Sequence, residues 1–167
     1  QFRTFNDFFE AYKKELKYYL LIAVSNVIKT RLSYNPFLSV FVDNCLERGS
    51  DIKEGGAKYR ETDFQACSLA NIADSLYSIK KMVFEEGTTT LNELSELLRN
   101  NYDGKETLHQ YIINKIDKFG NAVEEVDALA KEVAEFFAEE LTAYTNGWGH
   151  PFRARVAGAS SYVDNME

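Results

Sequence analysis

Two adjacent glycines, Gly55 and Gly56, constrain this chain more than any other feature. They follow a helical run and precede a segment rich in small residues, Ser68-Leu69-Ala70-Asn71-Ile72-Ala73-Asp74-Ser75-Leu76. A glycine pair reaches backbone conformations with positive φ and lets a second backbone or a ligand come close. The small side chains of Ala70, Ala73 and Ser75 let the helix that follows seat tightly. The local expectation is a loop over residues 51–56, a short strand over 57–60, a loop to Cys67, and a buried helix over about 68–84.

The rest of the chain reads as helices. Apolar residues from Phe8 and Tyr12 to Val27 and Ile28 recur at helical spacing, which predicts one long helix over about 7–32 with Asn6 as its cap. Asn35-Pro36 ends it, and Pro36 suits the first turn of a second helix with Phe37, Leu38, Phe41, Val42, Cys45 and Leu46 on its apolar face and Gly49 as its stop. Thr90-Leu91-Asn92-Glu93 is a capping box opening a further helix. Residues 100–104 are a turn cluster, 105–114 a helix with Leu108, Tyr111 and Ile112 inward, and Phe119-Gly120-Asn121 a break. A last long helix runs from Val123 to Leu141, a glycine-rich loop covers 146–151, and 152–167 are expected to be extended. The fold class is mainly α, with about six helices and one or two short strands. Residues 1–145 form the helical part and 146–167 a loop or extended tail, with both ends expected to be cuts within a longer polypeptide.

Composition excludes several functions. The net charge of −7, with Lys and Arg scattered, argues against nucleic acid as a partner. The longest apolar run, 18–24, is too short to cross a bilayer, and the first ten residues lack a signal-peptide pattern. Two cysteines make neither a disulfide framework nor a metal motif, so a reducing, cytoplasmic setting is expected. Aromatic residues make up 14% of the chain, more ring area than a small bundle needs, which suits a segment packed against further protein.

Several stretches, taken in order, carry a resemblance. They are Asn35-Pro36-Phe37-Leu38-Ser39, Asn44-Cys45-Leu46-Glu47-Arg48-Gly49, Gly55-Gly56-Ala57-Lys58-Tyr59, Leu69-Ala70-Asn71-Ile72-Ala73-Asp74-Ser75-Leu76 and Ile79-Lys80-Lys81. Val83-Phe84-Glu85-Glu86, Asn101-Tyr102-Asp103-Gly104, Lys118-Phe119-Gly120-Asn121 and Glu125-Val126-Asp127 complete the set. From about Phe2 to Pro151 the chain resembles the pyruvate formate-lyase-like glycyl radical enzymes, a group that includes diol dehydratases, choline trimethylamine-lyase and arylacetate decarboxylases. The resemblance implies part of a ten-stranded α/β barrel in a larger, homodimeric, anaerobic enzyme. It implies a glycyl radical, installed by an iron–sulfur radical-SAM activating enzyme, that passes to a cysteine and then to substrate, with cleavage of a C–O, C–N or C–C bond. No cofactor would be bound by this segment itself.

Within that resemblance the chain matches the portion between the cysteine loop and the radical loop, so the segment alone would be inactive. The family's catalytic cysteine lies in Gly-Cys-x-Glu-Pro; around Cys45 only Cys and Glu are shared, and Cys45 reads as a buried helix residue. The family's radical glycine follows Arg-Val-x. Arg155-Val156-Ala157-Gly158 fits, but Ala159 stands where an aromatic is usual, so Gly158 is the secondary candidate for the radical position. Gly147 to Phe152 aligns with the family's glycine-containing loop, with Trp148 and His150 as departures.

The candidate substrate-facing or loop-supporting residues are Gly55, Gly56, Tyr59, Asn71 and Asp74. Asn71 and Asp74 read equally as helix-start polarity, and Tyr59 as a packed ring. His109 and His150 have no ligand partners at metal spacing, and no phosphate loop or nucleophile elbow is present. The alternative function is a free-standing helical domain that binds a partner without catalysis.

Overall fold

A computed structural model describes residues 2–30 and 33–156. It is mostly helical: α1 (Phe5–Lys29), α2 (Pro36–Ser39), α3 (Cys45–Arg48), α4 (Leu69–Ile79), α5 (Leu91–Arg99), α6 (Glu106–Asn114) and α7 (Glu124–Thr142). Two strands, β1 (Thr62–Ala66) and β2 (Phe152–Val156), pair with each other. The chain divides into two compact units. Among the described residues the first takes 2–14, 66–136 and 156; the second takes the described residues of 15–65 and 137–155.

In the first unit a core forms from α1, α4, α6 and α7. Phe9, Ala73, Leu76, Tyr77, Met82, Ile116, Val126 and Val133 are among its buried members. Ala73 is fully buried, as the small-residue reading of that helix requires. Aromatic rings on the first turns of α1 add to this core: Phe5 stacks on Phe9 at 5.8 Å, and Phe84 meets Phe5 edge-on at 6.0 Å. Each such pair contributes about 0.5–1.5 kcal/mol beyond burial. The helix after the glycine pair changes character at Lys80, where residues Lys80–Glu85 form a π-helical turn. The amides of Thr88 and Thr89 then fold back onto the Met82 carbonyl, beyond a left-handed Gly87.

Three local expectations are corrected. The start of α1 is capped by Thr4, not Asn6: the Thr4 hydroxyl accepts from Asp7 N–H, and the Asp7 carboxylate accepts from the amides of Thr4 and Arg3. That reciprocal pair satisfies more orphan amides than a lone asparagine could. The single helix expected after Pro36 is two short ones, parted where Asn44 adopts a left-handed φ of 78°. Its expected apolar face is open, with Phe37 and Phe41 exposed and only Cys45 buried. The strand lies at Thr62–Ala66, not 57–60. Thr62, Phe64 and Ala66 alternate with Asp63 and Gln65, the two-residue period a strand needs. Residues 57–60 lack that alternation.

Candidate functional site

In the second unit the glycine pair is the centre of a closely built polar knot. Asp51 caps the 3₁₀ turn Ile52–Glu54, accepting from Lys53 N–H at 2.8 Å. Its other carboxylate oxygen accepts from Asn35 N–H at 2.9 Å and lies 2.9 Å from the Ser39 hydroxyl. Ser39 is buried and in turn accepts from Ile52 N–H at 2.9 Å. Burial works against the Asp51 charge, but these hydrogen bonds outweigh it and hold the carboxyl below its ordinary range. The Asn-Pro-Phe-Leu-Ser turn and the glycine loop are thus tied by one carboxylate that sequence reading did not single out.

Gly55 and Gly56 are both buried. Gly55 sits at φ 80°, and a β-carbon there would come 2.6 Å from Nε1 of Trp148. A β-carbon on Gly56 would collide with the Ser50 carbonyl. The pair therefore serves two close approaches: backbone on backbone at Gly56, and an indole on backbone at Gly55. Trp148 is placed by Asn146, whose buried side chain has all its hydrogen-bonding groups engaged. Its oxygen accepts from the amides of Trp148 and His150, and its amide donates to the Arg60 carbonyl at 2.6 Å and toward the Thr62 hydroxyl. A cavity of about 550 Å³ opens beside these groups, with Val27, Ile28, Phe152 and Trp148 as apolar wall and Tyr34, Lys53 and Glu54 as polar rim. The Tyr34 hydroxyl donates to Glu54 at 2.7 Å, and that bond raises the phenol's pKa. Tyr59 is 77% exposed.

Arg153 and Arg155 on β2 pair with Glu61 and Asp63, the latter at 2.7 Å, on and just before β1. Phe64 and Phe152 meet edge-on at 5.2 Å within the same pair of strands.

Asn71 and Asp74 fall in the first unit. Asn71 is exposed, and its carbonyl accepts from the Ser75 hydroxyl. Asp74 accepts from Phe119 N–H at 2.7 Å, and Asp127 accepts from Gly120 N–H at 3.3 Å. Lys118 donates to the carbonyls of Ile112 and Ile116, closing the end of α6. Two carboxylates and one ammonium thus hold the Lys118-Phe119-Gly120-Asn121 break. Cys45 is buried, 2% exposed, at the start of α3. Gly158 lies outside the described residues. His109 stacks on Tyr102 at 4.5 Å. Among the described residues no group of three or more His, Cys, Asp or Glu side chains is placed to hold a metal ion, and no helix is long and apolar enough to cross a membrane.

The pyruvate formate lyase-like family model matches residues 1–164. The chain belongs to this family of glycyl radical enzymes. It is 34% identical over 175 residues to a probable dehydratase, YbiW, of Escherichia coli, covering 99% of this chain and 22% of that protein. A solved structure from Roseburia inulinivorans, described for 1,2-propanediol dehydration, matches with a TM-score of 0.76 and 36% identity over 92% of this chain and 21% of that one. The hydroxyproline dehydratase of Clostridioides difficile, with trans-4-hydroxy-L-proline bound, matches with a TM-score of 0.79 and 28% identity over 93% and 20%. The chain spans about a fifth of the length of the curated relatives it matches. Family membership therefore covers the polar knot, the glycine pair and the clamped break alike, since all lie within the matched residues.

Proposed function

We propose that these residues form a scaffold part of a glycyl radical lyase that removes water from a small hydroxylated molecule, within the ten-stranded α/β barrel expected for the family. The observation that carries this reading is the identity of 34–36% to a probable dehydratase and to a structure of propanediol dehydration, spread over more than nine-tenths of the chain. In such an enzyme a glycyl radical supplies hydrogen-atom abstraction through a cysteine. The residues described here do other work. Gly55, Gly56 and Trp148 fix one loop, Asp51 and Ser39 tie it to the turn at Pro36, and Asp74 and Asp127 fix the break before α7.

Two points support placing the radical residues outside this segment. Cys45 is buried at the start of α3, and its surroundings share only Cys and Glu with the family's Gly-Cys-x-Glu-Pro pattern. The motif ending in Gly158 lacks the aromatic that usually follows. The active enzyme is accordingly read as a longer, cytoplasmic homodimer charged by an iron–sulfur radical-SAM activating enzyme under anaerobic conditions. The test is anaerobic activation of the full-length polypeptide followed by incubation with 1,2-propanediol, glycerol or trans-4-hydroxy-L-proline. Release of the dehydrated product from one of them supports the reading. An activated enzyme that instead cleaves only C–N or C–C bonds overturns the dehydration claim.

A further inference from the structure

The 167 residues contain one Asn-Gly pair, Asn146-Gly147. With no side chain on the second residue, its backbone nitrogen closes most readily on the asparagine side-chain carbonyl. The fold itself makes no demand for glycine here. Gly147 is exposed, its φ lies outside the left-handed region, and a β-carbon on it would meet nothing within 4 Å. Gly55 and Gly56 are the opposite case, each holding space that another group fills. Asn146 is equally distinctive: only 6% exposed, it is held from both ends of its side chain. The oxygen takes the amides of Trp148 and His150, and the nitrogen gives to the Arg60 carbonyl and the Thr62 hydroxyl.

We propose that Asn146-Gly147 is a deamidation site kept closed by the native fold, and that its conversion in the unfolded chain bars return to the native state. In the unfolded chain the Gly147 nitrogen bonds to Cγ of Asn146. The bond from Cγ to the side-chain nitrogen breaks, and that nitrogen leaves as ammonia with the Gly147 proton. Solvent water then opens the five-membered succinimide at either carbonyl, giving aspartate or isoaspartate. In the folded chain, drawing Cγ onto the Gly147 nitrogen breaks the hydrogen bonds that pin the side chain. Once formed, a carboxylate at 146 has no N–H for the Arg60 carbonyl and sets an oxygen against it, where 2.6 Å now separates donor from acceptor. The seat of Trp148 over Gly55 is then not rebuilt, so a reversible unfolding becomes an irreversible one. This holds whatever reaction the full-length enzyme runs.

The test keeps the full-length polypeptide folded in one series and in guanidinium chloride in another, in mildly alkaline buffer, and follows Asn146 by peptide mass spectrometry. Conversion should run about a hundredfold faster in the unfolded series, the ratio expected from the loss of two or three hydrogen bonds. The fraction of chains recovering native circular dichroism on dilution from denaturant should fall in step with it. Gly147→Ala, whose β-carbon hinders ring closure but touches nothing in the fold, should slow both together. Equal conversion in the two series overturns the proposal. So does full recovery of chains already converted at Asn146, or a loss of recovery in Gly147→Ala that proceeds at the wild-type pace.

Discussion

Gly56 is the least replaceable residue described here. Its missing β-carbon is the space taken by the Ser50 carbonyl, and backbone cannot move aside as a side-chain end can. Gly56→Ala should lower the stability of the intact polypeptide by about 2–3 kcal/mol, read from its urea midpoint. Gly55→Ala meets a softer obstacle, the Trp148 indole, together with a left-handed backbone that costs about 1–2 kcal/mol for a residue with a β-carbon. In a Trp148→Ala background the Gly55→Ala penalty should shrink to that backbone cost alone. Equal penalties in both backgrounds would show that the indole and Gly55 are not coupled. The need for glycine at both positions was legible in the sequence. The partner was not, because Trp148 lies far along the chain and its seat depends on Asn146.

At the scale of elements, the breaks between helices are fixed by carboxylates. Asp74→Ala leaves the Phe119 amide without its acceptor and should cost about 1–2 kcal/mol, with faster hydrogen exchange at Phe119. Unchanged exchange there would mean the clamp does not hold the loop. Glu85, on the π-helical turn, is held below its usual value of 4.5 first by the hydrogen bond from Lys81, 2.7 Å away, with the Lys80 and Lys81 charges adding to it. A lowered carboxylate stabilises the fold above its unfolded pKa and loses that contribution as pH falls through the folded one. Stability should therefore drop below pH 4.5, and Glu85→Gln should remove that part of the slope. The pair is substantially exposed, so the effect should stay below about 1 kcal/mol. Lys81 is raised by the same bond, which keeps it charged throughout the neutral range, so no change is expected between pH 6 and 9. Element existence was well marked: the Thr90–Glu93 capping box is formed, with both hydrogen bonds present, and α7 spans nearly the residues its periodicity predicts. The strand was misplaced because the glycine pair drew it forward. The better signal was the charge match of Glu61 and Asp63 with Arg153 and Arg155 across two alternating segments. The single helix expected from Pro36 to a stop at Gly49 failed for a different reason. Ser39 gives its hydroxyl to the Asn35–Asp51 knot, a long-range tie that no local pattern displays.

On the scale of the whole molecule, the proposal is that these residues support a reaction whose radical centres lie elsewhere in a longer polypeptide. The measurement that bears on this most directly is electron paramagnetic resonance of the full-length enzyme after anaerobic activation, comparing the wild type with Gly158→Ala and Cys45→Ala. The account predicts a glycyl radical doublet in all three, and dehydration by the Cys45→Ala variant at close to the wild-type rate. Loss of the doublet in Gly158→Ala, or loss of turnover in a normally folded Cys45→Ala, would place the radical chemistry inside this segment and contradict it.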